Sequence, residues 1–175
     1  YNVIDFIYTE RTGMQETIKP SQIIARILAT LLLIASVGFI FYNSSRIGPV
    51  SGEISQSVTS VFNRIFSTFG SSFRIREYAV RKLGHLAEFA LLGLILMVTL
   101  RVYTKRVLAF LAWPLFGGLA IAVCDEFLQS FVPGRSSEVR DVLIDFAGLT
   151  IGILIGLALL AFFTWLLHRR RNRLA

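Results

Sequence analysis

Cysteine is nearly absent. Cys124 is the only one and sits in an apolar run, so no intrachain disulfide framework can brace the fold and the thiol reads as a small buried hydrophobe. Histidine is almost as rare, with only His85 and His168. Acidic residues are few: 11 against 18 lysines and arginines, a formal charge of +7. The excess cation is no nucleic-acid footprint, because four of the arginines fall in the tail Arg169-Arg170-Arg171-Asn172-Arg173 beside an apolar helix, the pattern of a cytoplasmic membrane anchor. Internal repeats, low-complexity stretches and a glycine loop able to cradle phosphate are all missing. Residues Tyr1–Pro20 are mixed and polar, so no cleavable signal peptide is expected there.

Hydrophobic residues are abundant: 54% of the chain, with mean hydropathy +0.65, against about 45–50% apolar in a soluble domain. A bilayer core takes about 20 apolar residues in a helix, and four segments qualify, near Gln22–Tyr42, Leu83–Val102, Val107–Gln129 and Val142–Leu167. Arg26 lies early enough in the first to snorkel. Pro114, followed by Gly117 and Gly118, predicts a kink in the third. Between the first two, Ile54, Val58, Val61, Phe62, Ile65, Phe66 and Phe69 recur at helical spacing, with Asn63 and Arg64 opposite. That is an amphipathic helix in the headgroup plane, or one packed across the mouth of the bundle.

The expected fold is therefore an all-α integral membrane bundle of four transmembrane helices with an interfacial helix between spans one and two. The division is a juxtamembrane segment 1–21, a membrane domain 22–168 and a basic tail 169–175. The cations of Arg101–Arg106 and of the tail place both termini in the cytoplasm. Arg46, Arg64, Arg74, Arg76, Arg81 and Lys82 on the opposite side weaken that bias.

Antiparallel spans bring the polar residues together at one membrane face, which this orientation makes the outer one. His85 and Glu88 open the second span, Asp125, Glu126 and Gln129 close the third, and Asp141 and Asp145 open the fourth. Spacings of three and four put each set on one helix face. Turning those faces to lipid would cost about 2.5–3.5 kcal/mol per ionised group at mid-helix, less near an interface. Pro133-Gly134 fits a type II turn that folds Arg135 back over the carboxylates. Three readings stay open: a structural salt-bridge network, a site for a phosphate-bearing headgroup, or a divalent metal with His85 as ligand or base. Gly148, Gly152 and Gly156 let another helix approach closely, within the bundle or, as the alternative, in a homodimer.

Three blocks carry a resemblance. They are Phe41-Tyr42-Asn43-Ser44-Ser45-Arg46, then Arg81-Lys82-Leu83-Gly84-His85-Leu86-Ala87-Glu88-Phe89, then Asp125-Glu126-Phe127-Leu128-Gln129 through Val132-Pro133-Gly134-Arg135 to Asp141-Val142 and Asp145-x-x-Gly148. Together they resemble the VanZ-like family of small bacterial membrane proteins, with Phe89 where tyrosine is frequent and Asp145 where asparagine is frequent. The family is named for an accessory protein of glycopeptide-antibiotic resistance, so the resemblance implies a role at the cell envelope and supports the site residues better than any reaction. One expectation is an enzyme acting on a phosphate-bearing lipid or a lipid-linked wall precursor. Its chemistry would come from His85, Glu88, Asp125, Glu126 and Asp141, and its ligand would be held by Arg81, Lys82, Gln129, Arg135, Asp145, Ser44 and Arg46. No nucleophile is evident beyond Ser44, Ser45 or a water. The other expectation is a non-enzymatic protein that binds or translocates the same lipid or the antibiotic. A coupled transporter fits less well, since it calls for midplane polar groups and an inverted repeat.

Overall fold

The structure, a computed structural model, describes residues 19–70, 72, 74–135 and 137–174. Most of the expected juxtamembrane segment, residues 1–18, lies outside them, as do Ala175 and the side chains of Ile54, Arg171 and Arg173. The elements in order are α1 (Pro20–Ser44), α2 (Gly48–Thr68), α3 (Glu77–Tyr103), a single 3-10 turn (Val107–Phe110), α4 (Ala112–Gln129) and α5 (Val139–Leu174). Helices α1, α3, α5, and α4 together with its 3-10 turn, are each long and apolar enough to cross a membrane. The amphipathic segment forms α2, between the first two spans, as its periodicity predicts.

Close packing of α3 against α5 organises the bundle, and glycine makes it possible. A Cβ on Gly148 would run into the carbonyl of Leu86, and one on Gly152 into that of Ala90. One on Gly93 would meet the Leu149 carbonyl in return. A Cβ on Gly156 would come within 2.7 Å of the Met97 side chain. The small-residue stripe is thus spent inside the bundle. Around this seam the core gathers Ile40 from α1, Phe89, Leu92 and Met97 from α3, Ala122 from α4, and Leu149 and Ile153 from α5. Phe89 is completely enclosed among them, so a tyrosine there would need a partner for its hydroxyl.

Two expectations are corrected. Pro114 does not kink a continuous span. It falls in the first turn of α4, where its missing N–H leaves no bond unmade, and the irregularity is the 3-10 turn before it. Cys124 is exposed on α4, not buried. In a membrane helix both the core face and the lipid face are apolar, so an apolar run does not tell them apart. Helix α5 also continues through Arg169 and Arg170, and Arg169 stacks over the Trp165 ring at 5.2 Å, so the basic residues form the helix's last turns.

Asn63 anchors α2. Its side chain accepts from the Ile75 N–H at 2.8 Å and donates to the Ile75 carbonyl at 3.2 Å, while Arg74 caps the Asn63 carbonyl at 3.1 Å. This two-way pairing fixes α2 against the strand of chain leading into α3. Asn63→Ala removes two half-buried hydrogen bonds and should cost about 1–3 kcal/mol locally. Faster amide exchange across α2, with α3 and α5 unchanged, is the expected result.

Candidate functional site

The C-terminal end of α1, the N-terminal end of α3 and the C-terminal end of α4 meet at one end of the bundle with the start of α5, as the topology requires. At their centre, Asp125 Oδ2 takes a hydrogen bond from Gln129 at 2.8 Å. Gln129 also reaches the Ser44 hydroxyl at 3.4 Å. Ser44, Asp125, Gln129 and Asp145 are all buried. His85 Nδ1 faces Asp145 Oδ1 at 3.6 Å, beyond hydrogen-bond reach. Glu88 is held by the Asn43 amide at 2.8 Å. Glu126 is buried and accepts from the Glu138 N–H at 3.1 Å, which ties α4 to the start of α5. Lys82 forms an ion pair with Asp141.

Arg135 arrives by the expected turn. The Arg135 N–H bonds the Val132 carbonyl at 3.1 Å, and Gly134 takes φ 78°, the left-handed conformation that glycine permits. Its guanidinium does not lie on the carboxylates. Nε donates to the Arg46 carbonyl at 3.2 Å, Nη2 to the Asn43 carbonyl at 3.1 Å and Nη1 to Gln129 Oε1 at 3.1 Å. The last carbonyls of a helix carry partial negative charge and lack intrahelical donors, so a planar fork of N–H groups suits them. Burial, and next the neighbouring Arg81, push the Arg135 pKa down, while Asp125, Glu126 and Glu88 act the other way. A guanidinium stays charged regardless. Arg81 and Arg135 are thus near enough to repel each other.

Beside this cluster a cavity of about 710 Å³ lies between α1, α2 and α3. Its walls are mostly apolar, with Phe39, Val58, Phe62, Phe66, Val80 and Leu83 among them, and its polar end is formed by Asn43, Arg46, Arg81, His85, Glu88 and Arg135. Phe39, Tyr42 and Leu83 on its rim are 56%, 62% and 57% exposed, which opens the cavity sideways. No ion pair or hydrogen bond holds the Arg81 side chain among the described residues.

A family model described as VanZ/LLP1 matches residues 29–165, which include every residue of this cluster. The chain belongs to the VanZ/LLP1 family. No curated protein and no solved structure matches it.

The geometry sorts the sequence candidates of this VanZ/LLP1 chain into three groups. His85, Glu88, Arg46, Arg81 and Arg135 line the cavity. Ser44, Asp125, Gln129 and Asp145 form the buried layer, His85 bridging the two. Glu126, Lys82 and Asp141 are engaged in contacts at the foot of α5 and do not line the cavity. Ser45 turns away and bonds the Phe41 carbonyl at 2.7 Å. Asn43 belonged to the motif but carried no assigned role. Its place one residue before Ser44, on a helix end facing a carboxylate-bearing span, was the available signal. The α2 contribution to the wall had no signal beyond amphipathicity.

Proposed function

We propose that this VanZ/LLP1 protein takes a phosphate-bearing lipid, or a lipid-linked wall precursor, laterally into the cavity between α1, α2 and α3 and acts on its headgroup. The observation that carries this reading is a cavity with apolar walls for a chain and one cationic end for a headgroup. Arg81 supplies a guanidinium with no ion pair or hydrogen bond among the described residues, with Arg46 and Arg135 beside it, a set suited to phosphate oxygens. His85 and Glu88 reach the same end and can move protons at the ester. Positive charge at Arg101–Arg106 and in the C-terminal helix turns supports cytoplasmic termini and a cluster on the outer face, consistent with an envelope role linked to glycopeptide resistance. A second reading, a binding or translocating protein without turnover, is favoured by one observation: Ser44, the serine of the cluster, is buried, accepts a hydrogen bond from Gln129 and does not line the cavity.

Gly84 lines the cavity, and a Cβ there would touch nothing within 4 Å, so Gly84→Trp fills the space without disturbing the seam. Protein purified in nanodiscs carrying phospholipids and polyprenyl-phosphate-linked precursors should retain an anionic lipid, read by mass spectrometry, and lose it in Gly84→Trp and Arg81→Ala. A new lipid product that vanishes in His85→Gln and Glu88→Gln establishes an enzyme. Retention without product establishes the binding reading. Equal lipid content in wild type and Gly84→Trp sinks both.

A further inference from the structure

Buried carboxylates need partners, and two here have too few. Asp145 is 1% exposed and neither of its oxygens has a hydrogen-bond partner; Asp125 is 0% exposed and its Oδ1 has none; His85 Nδ1 has none either. The nearby donors are committed elsewhere. Lys82 pairs with Asp141, Asn43 with Glu88, and the Arg135 fork with two carbonyls and Gln129. No lysine or arginine forms an ion pair with Asp125 or Asp145 among the described residues. An isolated buried carboxylate is costly to keep charged, and Asp145 also lies within electrostatic reach of Asp125, Glu126, Asp141 and Glu88. Carboxylates thus crowd around Asp145, whose own oxygens have no hydrogen-bond partner among the described residues.

We infer that His85, Asp125 and Asp145 together hold one divalent transition-metal ion at the base of the cavity. One ligand atom from each lies within 4.8 Å of the others, and ligands that share an ion at about 2.0–2.2 Å stand about 3–4.4 Å apart. His85 Nδ1 and Asp145 Oδ1, at 3.6 Å, are already at that separation. One imidazole nitrogen with two carboxylate oxygens suits zinc or manganese; calcium and magnesium take oxygen sets. The three residues come from three different helices, α3, α4 and α5, so the ion would also pin the polar end of the bundle. His85 alone of the three lines the cavity, so it is the residue that would connect the ion to that space. The site goes beyond the lipid reading and stands without it.

The test uses the full chain in nanodiscs, stripped of metal and titrated with Zn²⁺ against a chromophoric chelator, with Mn²⁺ followed by pulsed electron paramagnetic resonance. Wild type should take up about one equivalent of Zn²⁺. Asp145→Asn and His85→Gln should weaken binding by about tenfold or more, while His168→Gln leaves it unchanged. Bound Mn²⁺ should show nitrogen hyperfine coupling that His85→Gln removes. Stoichiometric uptake that ignores Asp145→Asn overturns the site, as does wild-type Mn²⁺ without nitrogen coupling, a measurement that needs no variant to fold. Lipid content measured on the same samples separates failure of this site from failure of the lipid reading.

Discussion

Arg135→Ala is expected to lower the stability of the bundle by about 3 kcal/mol or more, and Arg135→Lys to restore little of it. Hydrogen bonds from a charged donor contribute about 1.5–3 kcal/mol each, and this guanidinium makes three, to Arg46, Asn43 and Gln129. Two of the acceptors are carbonyls around the end of α1, and the one at Asn43 is otherwise held only by backbone N–H groups just beyond the helix, that of Arg46 at 3.3 Å. The third, Gln129, passes the effect on, because its amide orients Asp125 and touches Ser44. A lysine places one point charge where three directions must be served at once. Thermal retention of monodisperse protein on size-exclusion, compared across Arg135→Ala, Arg135→Lys and wild type, decides it. A lysine variant as stable as wild type would show that charge alone, not the fork, is what the site uses.

Gly152→Val should be the most disruptive single change along the seam. In membranes, helices associate largely through van der Waals packing and interhelical hydrogen bonds, so the close approach of α3 and α5 is the chief source of cohesion. A side chain on Gly152 would occupy the space of the Ala90 carbonyl, which belongs to backbone and cannot rotate away. Overpacking of this kind costs about 1–3 kcal/mol and more where backbone must move. The expected order of damage is Gly152, then Gly148, then Gly156, because a Cβ on Gly156 would meet side chains, Met97 and more loosely Leu94, and not backbone. Gly117→Ala, which meets nothing within 4 Å, should be neutral or gain up to about 1 kcal/mol of helix propensity. Steric-trap or thermal measurements on the four variants should return that ranking, and a Gly152→Val protein as stable as Gly117→Ala would refute the seam.

What could be read from the sequence was whatever depends on periodicity and on chain direction. The spacing of Gly148, Gly152 and Gly156 announced a close helix neighbour, and alternation of antiparallel spans brought His85, Asp125 and Asp145 to one end. The Pro133-Gly134 pair foretold the turn that returns Arg135. The targets of Arg135 were not legible, because backbone carbonyls leave no mark on the sequence. Nor was the cavity, whose shape depends on where α2 is held beside α3, in part by the pairing of Asn63 with Ile75. Pro114 and Cys124 misled for one reason each: a proline one turn into a helix looks the same on paper as one in its middle, and lipid resembles a protein core.

The sideways opening between Phe39, Tyr42 and Leu83 has a consequence for how occupancy is counted. A molecule entering there arrives from the plane of the membrane, so the quantity that governs filling is its mole fraction among the surrounding lipids, not its molarity in the bulk. Diluting the bilayer with inert lipid at constant total ligand would empty the cavity, while diluting the vesicles with buffer would leave it filled.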